Sequence, residues 1–163
     1  MATLFLILSA IATALVAGLM YAYSVSVNPG LNKLDDQNYL AAMQSINKEI
    51  LNPLFFASFM GSLILLPIAT WTNYHPASAR FYLLLAATLI YAIGTFGVTM
   101  FGNVPLNNML DAFDMSSASA SDLSSLRSRF ENPWNNFHTI RTLSNVLALV
   151  LVIVACTKTN SSN

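Results

Sequence analysis

The side chains best suited to chemistry lie in two short stretches of this sequence, GNVPLNNML and NPWNNFHTIRT. They place Asn103, Asn107, His138 and Arg141 beside long apolar segments, where buried polar groups need partners. Histidine can take up a proton near neutral pH, and arginine and asparagine can donate hydrogen bonds to a developing oxyanion. The pattern therefore predicts a functional site at these positions.

The composition indicates that such a site lies in a membrane protein. The chain is 55% hydrophobic and only 9% charged, whereas soluble globular domains carry about a quarter charged residues. About 20 apolar residues are needed for a helix to cross the hydrocarbon core of a bilayer. We therefore predict an all-α integral membrane four-helix bundle in one domain over residues 1–163, with spans near 3–25, 53–73, 81–102 and 136–157.

Two longer connections, 26–52 and 103–135, hold all the acidic residues and lie on the same side of the membrane if there are four spans. Pro29 is predicted to end the first span, because proline breaks helices. Asp35 can cap a short interfacial helix, and a second short helix is predicted to end at Pro133, just before the last span. The count of Lys and Arg leaves the orientation of the bundle open.

The third and fourth spans each carry a polar stripe. In the third, hydroxyl and amide side chains recur every four residues: Tyr91, Thr95, Thr99, Asn103 and Asn107. In the fourth, polar and aromatic side chains share one helical face: Trp134, His138, Arg141, Thr142 and Asn145. We predict that the two stripes meet inside the bundle. A purely structural role is the alternative, since such side chains often hydrogen-bond between membrane helices and an arginine near a helix end can extend to the interface.

The predicted site has a catalytic set and a substrate-binding set. The catalytic set consists of His138, Arg141, Asn103 and Asn107. The substrate-binding set combines aromatic rings with polar side chains near the same side of the bundle: Trp134, Tyr23, Asn28, Thr99 and Asn47. An indole, a phenol and several amides on converging faces are typical of a polar pocket with an aromatic wall.

Three segments, YSVSVNPGL, NVPLN and WNNFHTIRT, carry a family resemblance. They resemble the anthrone oxygenase-like family of small four-helix membrane proteins, and the resemblance extends over nearly the whole chain. It implies oxidation of an anthrone to an anthraquinone by dioxygen, without a bound metal or flavin. Many relatives have Trp-Asn in place of Phe137-His138, so the histidine is not shared by all members.

Two hypotheses for function follow. The first is a cofactor-independent monooxygenase for a flat, apolar aromatic substrate, with His138 as base, Arg141, Asn103 and Asn107 as donors to the enolate, and Trp134 and Tyr23 stacked on the rings. The second is a small accessory or structural membrane protein that binds a lipid or a quinone-like ligand. A cavity that leads to unpaired donors would favour the first hypothesis.

Other classes of function have less support. The two histidines, His75 and His138, are predicted at opposite sides of the membrane, and Cys156 is the only cysteine, so we predict no metal site. The net charge of zero and the lack of basic runs argue against a nucleic-acid partner. Transport is a weaker third option, because no inverted repeat is visible.

Membrane lipids are the expected surroundings, and the short loops are typical of the bacterial inner membrane. The first span also carries small residues at four-residue spacing, which allow close helix packing. We expect this face to pack against protein, either inside the bundle or in a homo-oligomer: Ala10, Ala14, Gly18 and Ala22.

Overall fold

The computed structural model describes residues 1–158, so residues 159–163 of the predicted domain lie outside the described part. The described residues form five helices. They are α1 (Ala2–Leu31), α2 (Asp36–Glu49), α3 (Pro53–Thr72), α4 (Ala79–Asp111) and α5 (Ala120–Thr157). Four of these, α1, α3, α4 and α5, are long and apolar enough to cross a membrane.

The four long helices form an antiparallel bundle. Helices α1 and α4 each pack against both α3 and α5. Helix α2 packs against α4 and α5 at the end of the bundle that also carries the 112–119 connection. The predicted fold class, a membrane four-helix bundle with its longer connections on one side, is confirmed.

Besides Pro67 in α3, three prolines lie inside these helices without ending them. The predictions that Pro29 ends the first span and that Pro133 separates a short helix from the last span are wrong. Proline removes an N–H and crowds the carbonyl four residues earlier. The residues four positions before Pro29, Pro105 and Pro133 are, in that order, Val25, Phe101 and Arg129. The side chains of these three residues are exposed on the outer face of their helices. The distortion therefore falls on the outside of the bundle, and the packed face continues.

π-helical turns precede two of these prolines. They cover Tyr23–Val27 in α1 and Tyr91–Gly97 and Thr99–Asn103 in α4. In an α-helix, a four-residue repeat drifts by about 40° at each step, because the helix has 3.6 residues per turn. The wider π-helical turns of α4 offset this drift and keep its polar stripe on one face. The side chains of Tyr91, Thr95, Thr99 and Asn103 are buried, as the sequence predicted.

Helix α2 is held firmly across the mouth of the bundle. Asp35 caps its first turn by accepting a hydrogen bond from the backbone N–H of Asn38, and this bond lowers the pKa of the Asp35 carboxyl. Leu40 and Met43 are fully buried on its inner face. They join an apolar cluster with Leu110 and other residues from the ends of α4 and α5. The predicted cap is confirmed, and α2 folds onto the bundle mouth.

Ala10 packs against the core, but the rest of the small-residue face of α1 does not pack against the other described residues. Ala14, Gly18 and Ala22 are exposed, and a Cβ added at Gly18 would meet no heavy atom within 4 Å. The packed face of α1 instead carries Leu6, Val16 and other buried residues. A homo-oligomer that uses the small-residue face stays a prediction.

Helices α4 and α5 approach closely at Gly94, where an added Cβ would overlap the Ser144 side chain. Gly94→Ala should therefore lower the free energy of unfolding by about 1–3 kcal/mol, as overpacking does. Gly30→Ala is the matched control, because Gly30 is also helical and has no heavy atom within 4 Å of the added Cβ. Thermal unfolding in detergent measures both. Equal melting temperatures for the two variants would contradict the close approach.

Candidate functional site

A cavity of about 320 Å³ lies under α2, between the four long helices. All five helices contribute to its lining, which is mostly apolar: Leu19, Met20 and Tyr23 of α1, Ile46 and Asn47 of α2 with Ile50 and Leu51 after it, Phe55, Phe56 and Phe59 of α3, Thr99, Met100, Val104 and Asn107 of α4, and Trp134, His138 and Arg141 of α5. This volume and the few polar groups on an apolar wall are typical of small-molecule sites.

One wall of the cavity is a stack of rings. The Trp134 indole and the His138 imidazole are nearly parallel, at 11°, with centroids 5.1 Å apart. The Tyr23 ring leans on both, at 5.5 Å from Trp134 and 5.3 Å from His138. These positions arise because Trp134 and His138 are one helical turn apart on α5 and Tyr23 begins the π-helical segment of α1. The wall is flat and suits an aromatic ligand.

The hydrogen bonds of His138 define its tautomer. Its Nδ1 lies 3.3 Å from Nε and 3.2 Å from Nη2 of Arg141, and a guanidinium can only donate, so Nδ1 is the acceptor. The Nε2 atom lies 2.9 Å from Oγ of Ser24, whose own hydroxyl donates to the Met20 carbonyl at 3.0 Å. His138 is therefore assigned as neutral, with its proton on Nε2. The lone pair of Nδ1 is covered by Arg141.

Arg141 is a cation without a carboxylate partner. The ion pairs among residues 1–158 join Lys48 to Asp111 and Arg127 to Asp36 and Glu131, and none involves Arg141. Its guanidinium carbon instead lies 5.0 Å from the centroid of the Trp134 ring, at cation–π distance. A charge inside a membrane span is costly and normally has a partner. The guanidinium of Arg141 can therefore bind an anionic or strongly polar group.

Two other arginines of the long helices, Arg127 and Arg80, are fully engaged. Arg127 binds the carboxylates of Asp36 and Glu131 at 3.0 and 2.8 Å and also lies over the Tyr39 ring. Arg80 donates to the carbonyls of Ala155 and Lys158 at the end of α5. Arg127 fixes α2 and Arg80 caps α5, so both have structural roles that Arg141 lacks.

Two asparagines of the α4 stripe meet Trp134 in different ways. Asn107 accepts the indole N–H at 2.8 Å, which leaves its own Nδ2 donor without a hydrogen-bond partner among the described residues, at the cavity wall. Asn103 donates to the Trp134 backbone carbonyl at 3.1 Å and does not line the cavity. The geometry thus gives Asn103 a supporting position, whereas Asn107 can reach a ligand.

The predicted substrate-binding residues also divide into two groups. Tyr23, Asn47, Thr99 and Trp134 line the cavity with His138, Arg141 and Asn107. Asn28 does not line it, because its amide donates to Asn135 at 2.9 Å between α1 and α5. The sequence analysis missed the aromatic residues of α3 that line the cavity, since Phe55, Phe56 and Phe59 look like any apolar part of a span.

No group of three or more His, Cys, Asp or Glu side chains comes together anywhere within residues 1–158. His75 is exposed in the short turn between α3 and α4, at the opposite end of the bundle from His138. The polar groups of the residues that line the cavity are instead amides, hydroxyl groups, the Trp134 indole N–H, the imidazole and one guanidinium.

Comparison with known proteins matches the chain to a family. The family model described as anthrone oxygenase matches residues 52–151, which contain α3, α4 and most of α5. The matched region supplies Thr99, Asn107, Trp134, His138 and Arg141. No curated protein and no solved structure matches the chain.

Proposed function

Because the chain belongs to the anthrone oxygenase family, we propose that it oxidises an anthrone-type substrate to a quinone with dioxygen in the cavity beside Arg141. The observation that carries this proposal is the guanidinium of Arg141, which has no carboxylate partner among residues 1–158 and lies on the aromatic wall formed by Trp134. A flat aromatic ketone that becomes an enolate supplies what this site lacks, namely a negative oxygen attached to a ring system.

The proposed reaction converts one methylene group into a ketone. A base removes one proton from the methylene carbon, and the charge moves to the carbonyl oxygen. The electron-rich carbanion then reduces dioxygen, and a C–O bond forms to give a hydroperoxide after protonation. Loss of water from the hydroperoxide yields the second carbonyl, so anthrone and one dioxygen give anthraquinone and one water. The electrons come from the substrate itself.

Arg141 and Asn107 are the proposed donors to the enolate oxygen. Both line the cavity, and both carry N–H groups free of carboxylate or carbonyl partners among the described residues. Hydrogen-bond donors aimed at a developing oxyanion, away from water, are commonly the largest contribution to catalysis. Asn103 is assigned to hold the Trp134 segment of α5 in position through its bond to the Trp134 carbonyl.

His138 is the proposed base, and its use depends on the substrate. In the unliganded site Arg141 covers the Nδ1 lone pair of His138. A substrate carbonyl that binds the guanidinium would draw the guanidinium away from Nδ1. The Nδ1 lone pair would then be free to take a proton from the methylene group of the same substrate. Ser24 would continue to hold Nε2 and keep the ring oriented. Proton removal and charge stabilisation are thereby coupled in one step.

The substrate is proposed to enter from the bilayer. The cavity lining includes Leu51, Phe56 and Met100, which are exposed on the surface by 64%, 42% and 41%. An apolar rim favours an apolar molecule dissolved in the membrane. The bacterial inner membrane is the proposed location, on the basis of the short loops in the sequence.

A second candidate is binding of a quinone-like ligand without chemistry, because Arg141 and Asn107 would hold a quinone carbonyl equally well. The position of His138 beside Arg141 favours the oxidative function, since this function requires a base next to the anion site and binding alone does not.

Oxygen consumption tests the proposed function. Purified protein in detergent, given emodin anthrone, should consume oxygen faster than spontaneous autoxidation, with one dioxygen used per quinone formed. Metal content is assayed on the same sample. Binding of the quinone product without protein-dependent oxygen consumption would overturn the oxygenase and leave the ligand-binding candidate.

A further inference from the structure

Asn47 on α2 lines the cavity, and its side-chain amide forms no hydrogen bond with the described residues. Its Nδ2 atom is buried without a hydrogen-bond partner, and the described residues offer no partner to its Oδ1 atom either. Leaving a buried amide unpaired costs about 1–3 kcal/mol. Native proteins rarely keep such groups, and those that remain often mark functional sites.

The position of Asn47 is fixed by its neighbours on α2. Gln44, one turn earlier, donates from Nε2 to the carbonyls of Leu110 and Phe113 at 2.7 and 3.2 Å, where α4 ends. Lys48 binds Asp111 at 2.9 Å on the same side. These contacts hold α2 over the cavity. Asn47 therefore stays at the cavity wall and cannot easily turn away to find a partner.

Asn47 and Arg141 reach the cavity from different helices. Arg141 comes from α5 inside the bundle, and Asn47 comes from α2, which closes the mouth. Most of the lining that they share is apolar. A ligand that satisfies both polar groups must therefore carry two separate oxygens on an otherwise apolar frame.

We propose that Asn47 is a specificity-determining residue that binds a ring hydroxyl of the substrate, remote from the carbonyl held by Arg141. This inference rests on the proposed function and assigns one residue to a substrate group away from the reacting carbon. An amide donates and accepts, so it can pair with either property of a hydroxyl group. A substrate without the hydroxyl leaves the amide unpaired.

Sites built to hydrogen-bond a hydroxyl discriminate strongly against analogues that lack it, because the polar group of the protein is then left unsatisfied. An apolar residue at position 47 would remove this discrimination. The ratio of the affinities for two ligands therefore reports on Asn47 more cleanly than either affinity alone, and it does not depend on the active fraction of a preparation.

The test uses two unreactive ligands of similar size, 2-hydroxyanthraquinone and 2-methylanthraquinone, at a pH where the hydroxyl is protonated. The chain has two tryptophans, so Trp71→Phe leaves Trp134 in the cavity wall as the only fluorescent indole. Quenching of Trp134 then gives both dissociation constants. In this background we expect the hydroxyl ligand to bind about tenfold more tightly, on the scale of one hydrogen bond to a buried group.

Asn47→Leu should bring the ratio of the two dissociation constants close to one. Gln37→Leu, on the exposed part of the same helix, is the matched control and should keep the tenfold preference. A ratio unchanged in Asn47→Leu, or no preference in the parent protein, would overturn the role of Asn47. The proposed oxidation fails separately, if no anthrone gives protein-dependent oxygen consumption while the binding preference persists.

Discussion

Arg141→Gln is expected to lower kcat for anthrone oxidation by about 100- to 1,000-fold, the usual effect of removing one oxyanion donor. The reason is that the cationic guanidinium lies on the aromatic wall, and the described part of the chain offers it no carboxylate, whereas glutamine supplies only a neutral amide. The initial rate of quinone formation at saturating anthrone measures this effect.

Arg129→Gln is the matched control for this change. Arg129 is exposed on the outer face of α5, three turns before Arg141, and forms none of the ion pairs among residues 1–158. Its replacement should leave kcat unchanged. If the two variants have similar rates, the charge of Arg141 does not serve the reaction.

His138→Asn is expected to reduce kcat by about 100- to 10,000-fold near neutral pH, as the loss of a general base does. Asparagine keeps a polar side chain between Ser24 and Arg141 but has no basic nitrogen. Because anthrones ionise by themselves in alkaline solution, the rate of the variant should rise with pH more steeply than that of the parent protein. A pH–rate profile from both proteins shows this difference.

His75→Asn provides the control, since His75 is the only other histidine and is exposed at the opposite end of the bundle. It should behave like the parent protein. The contrary outcome is equally informative. Full turnover by His138→Asn would exclude the imidazole as base and leave Arg141 and Asn107 to promote ionisation alone.

The sequence predicted the bundle well because a membrane span leaves a clear signal. Charges are absent over long stretches, and the predicted cap Asp35 lies where α2 begins. The predicted helix ends at Pro29 and Pro133 were wrong. The rule that proline ends a helix assumes that the lost backbone hydrogen bond destabilises the helix enough to break it. Here the affected carbonyls belong to residues on exposed outer faces, and π-helical turns absorb part of the distortion. Such compensation depends on tertiary packing.

The candidate site was predictable in its residue types but not in their pairing. The stripes of α4 and α5 do meet, through the bond from the Trp134 indole to Asn107. However, the spacing along two helices cannot reveal that Asn103 turns to a backbone carbonyl or that Asn28 bonds to Asn135. The partnership of Ser24 with His138 joins residues 114 positions apart in sequence, and only the fold brings them together.

The absorption spectrum of the protein mixed with an anthrone in the absence of oxygen tests the central claim most directly. An anthrone enolate is a more extended conjugated system than the ketone and absorbs at longer wavelength. We expect the parent protein to produce this enolate band at once, Arg141→Gln to produce little of it, and admitted oxygen to replace it with the quinone spectrum. A parent protein that forms quinone in oxygen but no enolate band without it, and whose turnover follows its metal content, would contradict ionisation of the substrate at Arg141.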